Sequence, residues 1–306
     1  MKLNRIIAFF LAFIMMLTAL ALASCDELLN PTNTTTTTTT DSSNPEETPG
    51  DQGSSGNNEN QGIGISEEDL QALKDAIERT KQETSYTVTT TGSAEVNMTQ
   101  AFQGQEQTEW IQSENTTVDK YAGDKKESKS TTKERTSPVG GWEYSNSWHF
   151  YKYTSETDGI LYSQDEDGNW YTGSFSYITS SSDSADGYDT KFIKDLESIR
   201  DKIIYDETTG VYTIEEIEMQ NVIEWFFKAD PSNVVSGTAV AYFRNIRFEV
   251  RNGYVYSCSY DIESRMDNLT LDFQGERGSF DGYTYQSVAS TQTDFGTTVV
   301  TLPVVE

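Results

Sequence analysis

Cys25 follows Leu22, Ala23 and Ser24 at the end of an apolar run over residues 6–23, with Lys2 and Arg5 ahead of it. Cations, then an apolar stretch, then small residues leading straight into a cysteine follow the order of a bacterial lipoprotein signal peptide. In that reading cleavage falls between Ser24 and Cys25 and the thiol carries a diacylglycerol. The mature chain is then anchored at the cell membrane, facing outside the cytoplasm. Lipid is a sufficient anchor, because each buried methylene contributes roughly 0.8 kcal/mol and two or more acyl chains hold where one does not. An uncleaved membrane helix is the competing reading. It has only 18 mostly apolar residues, the lower limit for a span, and gives no reason for small residues before a cysteine.

The other reactive side chains read as structural. Asp165, Asp167 and Asn169 have the spacing of a calcium loop, but Trp170 stands where that loop needs glycine and Ser176 where it needs glutamate. A hairpin turn is expected there. His149 is the only histidine, which excludes a multi-histidine metal site, and its place between Trp148 and Phe150 on a strand favours a structural role. Glu215, Glu216 and Glu218 could supply a glycosidase acid/base pair, but among 49 acidic residues close carboxylates are inevitable. Cys258 alternates with Tyr256, Tyr260 and Ile262 and reads as a small packing residue. No catalytic residue, metal or cofactor is assigned, and the chain is not expected to be an enzyme.

The aromatic residues carry more weight. Trp148 and Phe150 share one face of a strand, while His149, Tyr151 and Tyr153 share the other, so either both faces are covered or one lines a groove. Val222, Ile223, Trp225, Phe226 and Phe227 form a helix too apolar to lie in water, which either plugs a sheet or closes over a ligand. The groove expected from these patterns is lined by Trp148, Phe150, Val222, Trp225 and Phe226.

Composition sets limits on partners. The formal charge is −27, and loss of the two cations in residues 1–24 takes it to −29. Such a surface lacks the basic stripe that phosphate contact requires, so nucleic acid is excluded as a partner. With Cys25 assigned to lipid, Cys258 has no partner for an intrachain disulfide. The fold must be held by its core.

Three segments position these residues. Residues 1–24 are the signal. Residues 25–65 hold the lipidated cysteine and a linker with an unbroken threonine run at 34–40, a composition that cannot bury a core. Residues 66–306 form one β-rich domain. It opens with Ser66 as a helix cap and Leu70, Leu73 and Ile77 as one apolar stripe, the helix ending near Gln82. Tyr86, Val88, Thr90, Gly92, Ala94, Val96 and Met98 then alternate with polar residues along a long strand, where Gly92 can let another group approach. Asp167-Gly168 reads as a tight turn between strands at 160–164 and 169–172, and Asn252-Gly253 as a two-residue hairpin turn joining 239–250 to 254–262. The second places Arg244 opposite Asp261, Phe248 opposite Ser257 and Val250 opposite Val255. Further patterns indicate strands at 269–273 and 297–302, and helices at 190–202 and 219–229.

A tethered domain that opens with a helix and a long strand over 70–96 and continues through the Asp167-Gly168-Asn169-Trp170-Tyr171 turn resembles the LolA/LppX-type lipoprotein superfamily. Its close through Phe295-Gly296 and Val300 to Pro303 adds to the resemblance. The resemblance implies a curved antiparallel sheet, or half-barrel, whose apolar groove takes acyl chains. The fold expected is therefore α+β, with helices packed on the concave side of the half-barrel. The activity expected is binding of a lipid or acylated ligand, with a surface module that meets a cell-wall or protein partner as the alternative.

Cys25→Ala should block both lipid attachment and the cleavage that depends on it, leaving an unprocessed precursor. Membrane fractionation with mass measurement checks this; processing at the same bond would disprove the lipoprotein signal.

Overall fold

The computed structural model describes residues 64–102, 104–155, 158–165, 168–176, 196–219, 221–227, 229–273 and 275–305. Ser24, Cys25, nearly all of the linker, residues 190–195 of the expected helix and the side chain of Trp225 lie outside the described residues.

Ser66 accepts a hydrogen bond from the Asp69 amide at 3.1 Å and so caps α1 (Glu67–Lys81). Three acids in the first turn and Arg79 and Lys81 in the last complement the helix dipole. Leu70, Leu73 and Ile77 are buried as the stripe requires. At one end the Ile65 amide donates to the Ile203 carbonyl; at the other, buried Thr80 Oγ1 accepts from the Val255 amide at 2.9 Å.

The strands are β1 (Ser85–Phe102), β2 (Gln105–Ala122), β3 (Lys125–Arg135), β4 (Glu143–Tyr153), β5 (Asp158–Gln164) and β6 (Trp170–Ser176). They continue with β7 (Ile203–Asp206), β8 (Val211–Glu218), β9 (Val234–Arg251), β10 (Tyr254–Phe273) and β11 (Glu276–Thr293), with α2 (Val222–Phe227) between β8 and β9. All belong to one 11-stranded antiparallel sheet in the order β6-β5-β4-β3-β2-β1-β11-β10-β9-β8-β7. Two meanders, β1 to β6 and β7 to β11, thus join where the first strand pairs with the last. That join runs from Thr87–Thr293 to Phe102–Gly278.

The expected α+β half-barrel with a concave helical side is corrected by this architecture. The described chain is nearly all antiparallel strand, and helix is confined to α1, the short α2 and single turns at Arg200–Lys202 and Pro231–Asn233. Local chemistry explains why the apolar pattern at 219–229 makes so little helix. Asn221 sits at φ +57° just before α2, and Asp230 caps the next turn by accepting from the Ser232 amide. The expected strand at 297–302 is corrected as well: that tail is not a strand, and Ser85 and Thr87 hold it through side-chain bonds to Thr298.

One face of the sheet, here called inner, carries the core. Val96, Met98, Phe243, Phe248, Tyr260, Ile262 and Leu269 cluster there with residues from both helices. Toward β1 and β2 the same face stays buried but turns polar. Thr90 bonds Ser290 at 2.9 Å, Ser264 bonds Thr284 at 2.6 Å and Thr117 donates to Ser130 at 3.1 Å, so hydroxyls satisfy one another across strands.

Asn252 and Gly253 lie at φ +55° and +76°, as a two-residue turn of this type demands. Val250–Val255 and Arg244–Asp261 pair as the turn predicts, but Phe248 faces Cys258 rather than Ser257. Irregularities between Val255 and Ser257 and between Ser259 and Asp261 shift the register and shift it back. The turn sets the register, and the bulges change it only locally. At the other expected turn, of which Asp167 lies outside the described residues, Gln164 pairs with Trp170, and Asp165 accepts from the Asn169 amide at 2.8 Å.

Gly282 has φ +144°, and a Cβ there would lie 2.1 Å from the Asn97 carbonyl oxygen. Gly282→Ala should therefore destabilise the protein by about 1–3 kcal/mol. Chemical denaturation checks this, and a neutral effect would mean that β1 and β11 do not approach as described.

Candidate functional site

The structure splits the expected apolar groove in two. Val222 and Phe226 belong to the core cluster on the inner face, where the neighbouring Phe227 ring packs 4.6 Å from Phe280. Phe102 closes on Phe280 from another side at 5.5 Å. Trp148 and Phe150 lie on the opposite, outer face: they pair with Lys129 and Glu127 of β3, which pair in turn with Val118 and Lys120 of β2, outward-facing residues. The two groups do not meet, and the inner one is packed with aromatic rings.

The outer face instead carries an open trough. Thr91 and Ser93 of β1 lie beside Glu114 and Thr116 of β2, Thr131 and Lys133 of β3, and Ser287 and Ala289 of β11. These residues, with Gly92, Asn115 and Tyr144, line a cavity of about 360 Å³. It exists because the pleat brings the small side chains of Thr91, Ser93, Ser287 and Ala289 together at its centre. Tyr144 stands at the edge, 70% exposed. Lys133 Nζ bridges Glu114 at 2.8 Å and lies 4.8 Å from the centre of the Trp142 ring. The lining is mainly hydroxyls, one balanced ion pair and one phenol. This suits hydrogen bonding to a polar ligand.

Along β4 the trough continues into an aromatic stripe. Tyr144, Asn146, Trp148 and Phe150 pair with Lys133, Thr131, Lys129 and Glu127, so all four take the outer face. Trp148 Nε1 donates to Glu127 Oε1 at 3.1 Å, and the Trp148 ring meets Trp170 edge-on at 5.2 Å. Lys129 Nζ lies over the Trp148 ring at 4.3 Å and also bridges Glu127. Burial alone would raise the Glu127 carboxyl above its usual range, but bonds and charges from Lys129 and Lys120 outweigh it and hold the pKa below. The ionised carboxylate thus fixes the indole.

Of the other reactive candidates, His149 lies on the inner face with Nδ1 3.1 Å from Ser163 Oγ. Cys258 is buried in the core. Among the described residues no group of three or more His, Cys, Asp or Glu side chains is arranged to hold a metal ion. From the sequence, Trp148 and Phe150 are named only as lining of an apolar groove, and neither Tyr144, Lys133 and Glu114 nor the small residues around Gly92 are named as site residues. The alternation Trp142, Tyr144, Asn146, Trp148, Phe150 was the available signal for the stripe. Nothing in the local sequence marks the trough, whose walls come from five strands.

No family model matches the chain, and no curated protein matches it. Similar solved structures include Neisserial surface protein A, at 5% identity and a TM-score of 0.19, covering 67% of this chain and 96% of that one. They also include a triple mutant of the Rh. blastica porin, at 7% and 0.19, covering 67% and 100%. A DUF1329 family protein from Desulfovibrio piger, at 11% and 0.15, covers 77% and 92%. Scores this low transfer neither fold nor function.

Burial of His149 pushes its pKa below the ordinary value of 6.5, so the folded state favours the neutral ring. Its contribution to stability is complete above that ordinary value and falls as pH drops through it. As the only histidine, it should give one imidazole signal in NMR with a midpoint below 6.5; a midpoint at or above 6.5 would contradict its burial.

Proposed function

We propose that this chain is a lipid-anchored lipoprotein that acts outside the cytoplasm as a binding module and performs no catalysis. It meets a partner of the cell envelope through the outer-face trough. The observation that carries this reading is the cavity itself: an open polar recess on a sheet whose apolar inner face is already occupied by its own helices. An acyl chain needs an unfilled apolar groove, and α2 fills its neighbourhood with phenylalanine rings. The kinship with LolA/LppX-type proteins is, in this proposal, one of tether and address rather than of ligand. The strong negative charge then serves solubility and keeps the domain off anionic headgroups.

The test is cosedimentation of the detergent-solubilised lipoprotein with insoluble cell-wall material, since detergent removes retention through lipid. The wild type should be retained. Retention should fall at least tenfold when Glu114→Ala and Lys133→Ala are combined, with an unchanged melting temperature, because an exposed pair of this kind contributes only ~0.2–1 kcal/mol. Equal retention of the two proteins would defeat the proposal.

A further inference from the structure

Resting on that reading of the trough, we infer that its ligand is a neutral saccharide chain, seated in the recess and running along the β4 aromatic stripe. Three features of the outer face converge on this class.

The first is hydrogen-bonding character. Thr91, Ser93, Thr116, Thr131 and Ser287 surround the recess with hydroxyls that donate and accept, the capacity that a polyhydroxylated ring needs in order to be held from several sides. The second is charge. Lys133 of the recess is matched one to one by Glu114 at 2.8 Å, while along the stripe Lys129 and Lys120 share the single carboxylate of Glu127. The recess therefore offers no unpaired cation to an anionic ligand, and the chain as a whole, at −27, repels one. The extra lysine at Glu127 and the Lys133–Glu114 pair equally leave no net attraction for a cation.

The third is the aromatic surface. Tyr144 is 70% exposed and Trp148 38% exposed. They stand four residues apart on one strand face, a separation of about 14 Å at the usual strand rise. A monosaccharide in the recess touches only Tyr144, whereas a chain of several rings reaches both platforms and places its C–H faces on them. Trp148 is pre-set for such contact, since its indole N–H is already held by Glu127 and its edge is braced by Trp170. An apolar ligand would not use the hydroxyl recess.

The experiment is affinity electrophoresis and calorimetry of the full chain in detergent, against soluble neutral oligosaccharides of two to six rings from glucose, N-acetylglucosamine, xylose and mannose series. At least one series should bind, with affinity rising with length beyond the disaccharide. Tyr144→Ala and Trp148→Ala should each weaken binding of the longest member at least tenfold, and the Tyr144 change should leave the melting temperature unaltered. Trp148→Phe keeps a ring and should restore part of the loss, which separates a platform role from a structural one. Binding that ignores both substitutions would overturn the inference. If no neutral oligosaccharide binds while trough substitutions still reduce retention on cell-wall material, the saccharide inference falls and the binding-module reading stands. If retention is indifferent too, both fall.

Discussion

The pairing of β1 with β11 is the constraint on which the molecule depends. Among the described residues it is the sole strand pairing between two meanders that are otherwise built from neighbours in sequence, and it joins residues about 200 positions apart. Hairpins such as β9–β10 can form locally, but this seam must wait for loop closure across the whole domain, a demand that slows folding. The trough inherits the same dependence. Its floor sets Thr91 and Ser93 of one strand against Ala289 and Ser287 of the other, so no part of the chain smaller than the completed sheet can make it.

The seam is held by an unusual choice of side chains. Where most sheets would place aliphatic residues, the inner face of β1, β2 and β11 buries Thr90, Thr117, Ser290, Gln286 and Gln292. Hydroxyl pairs such as Thr90–Ser290 fit across strands because both partners donate and accept, which makes a polar interior tolerable and fixes which residues face one another. Apolar burial is concentrated instead under α1 and α2, against β8, β9 and β10. One half of the sheet is secured by packing and the other by bonding, and this leaves the outer face free for the recess and the stripe.

That division also decides what could be read from sequence. The cap and apolar stripe of α1, the alternation of β1 and the Asn252-Gly253 turn are legible because hydrophobic period and turn chemistry report directly on structure. β11 is not, since its buried positions include Gly278, Thr284, Gln286, Ser290 and Gln292, whose composition hides the period of two. The helix at 219–229 failed in the opposite direction: Val222, Ile223, Phe226 and Phe227 are buried, but Asn221 and Asp230 limit the helix to six residues. Trp148 and Phe150 were identifiable as aromatics sharing one strand face. Which face of the sheet they occupy depends on pairings across β3 and β2 that no local pattern specifies.

The strand order has a mechanical consequence. The described chain enters beside β7, where Ile65 bonds Ile203, and β4 lies eight strands away across the sheet. Tension between the N-terminus and anything gripped at β4 therefore acts across the strands, the direction in which ladders peel bond by bond instead of resisting in shear. β7 has only four residues and would be the first to yield. α1 changes the load path, because it is fastened to Ile203 at one end and to the β9–β10 turn at the other, where Arg79 lies 4.2 Å from the centre of the Tyr254 ring. It works as a clasp over the weakest edge, passing force from the N-terminal side into the long central strands before the short ones can unzip.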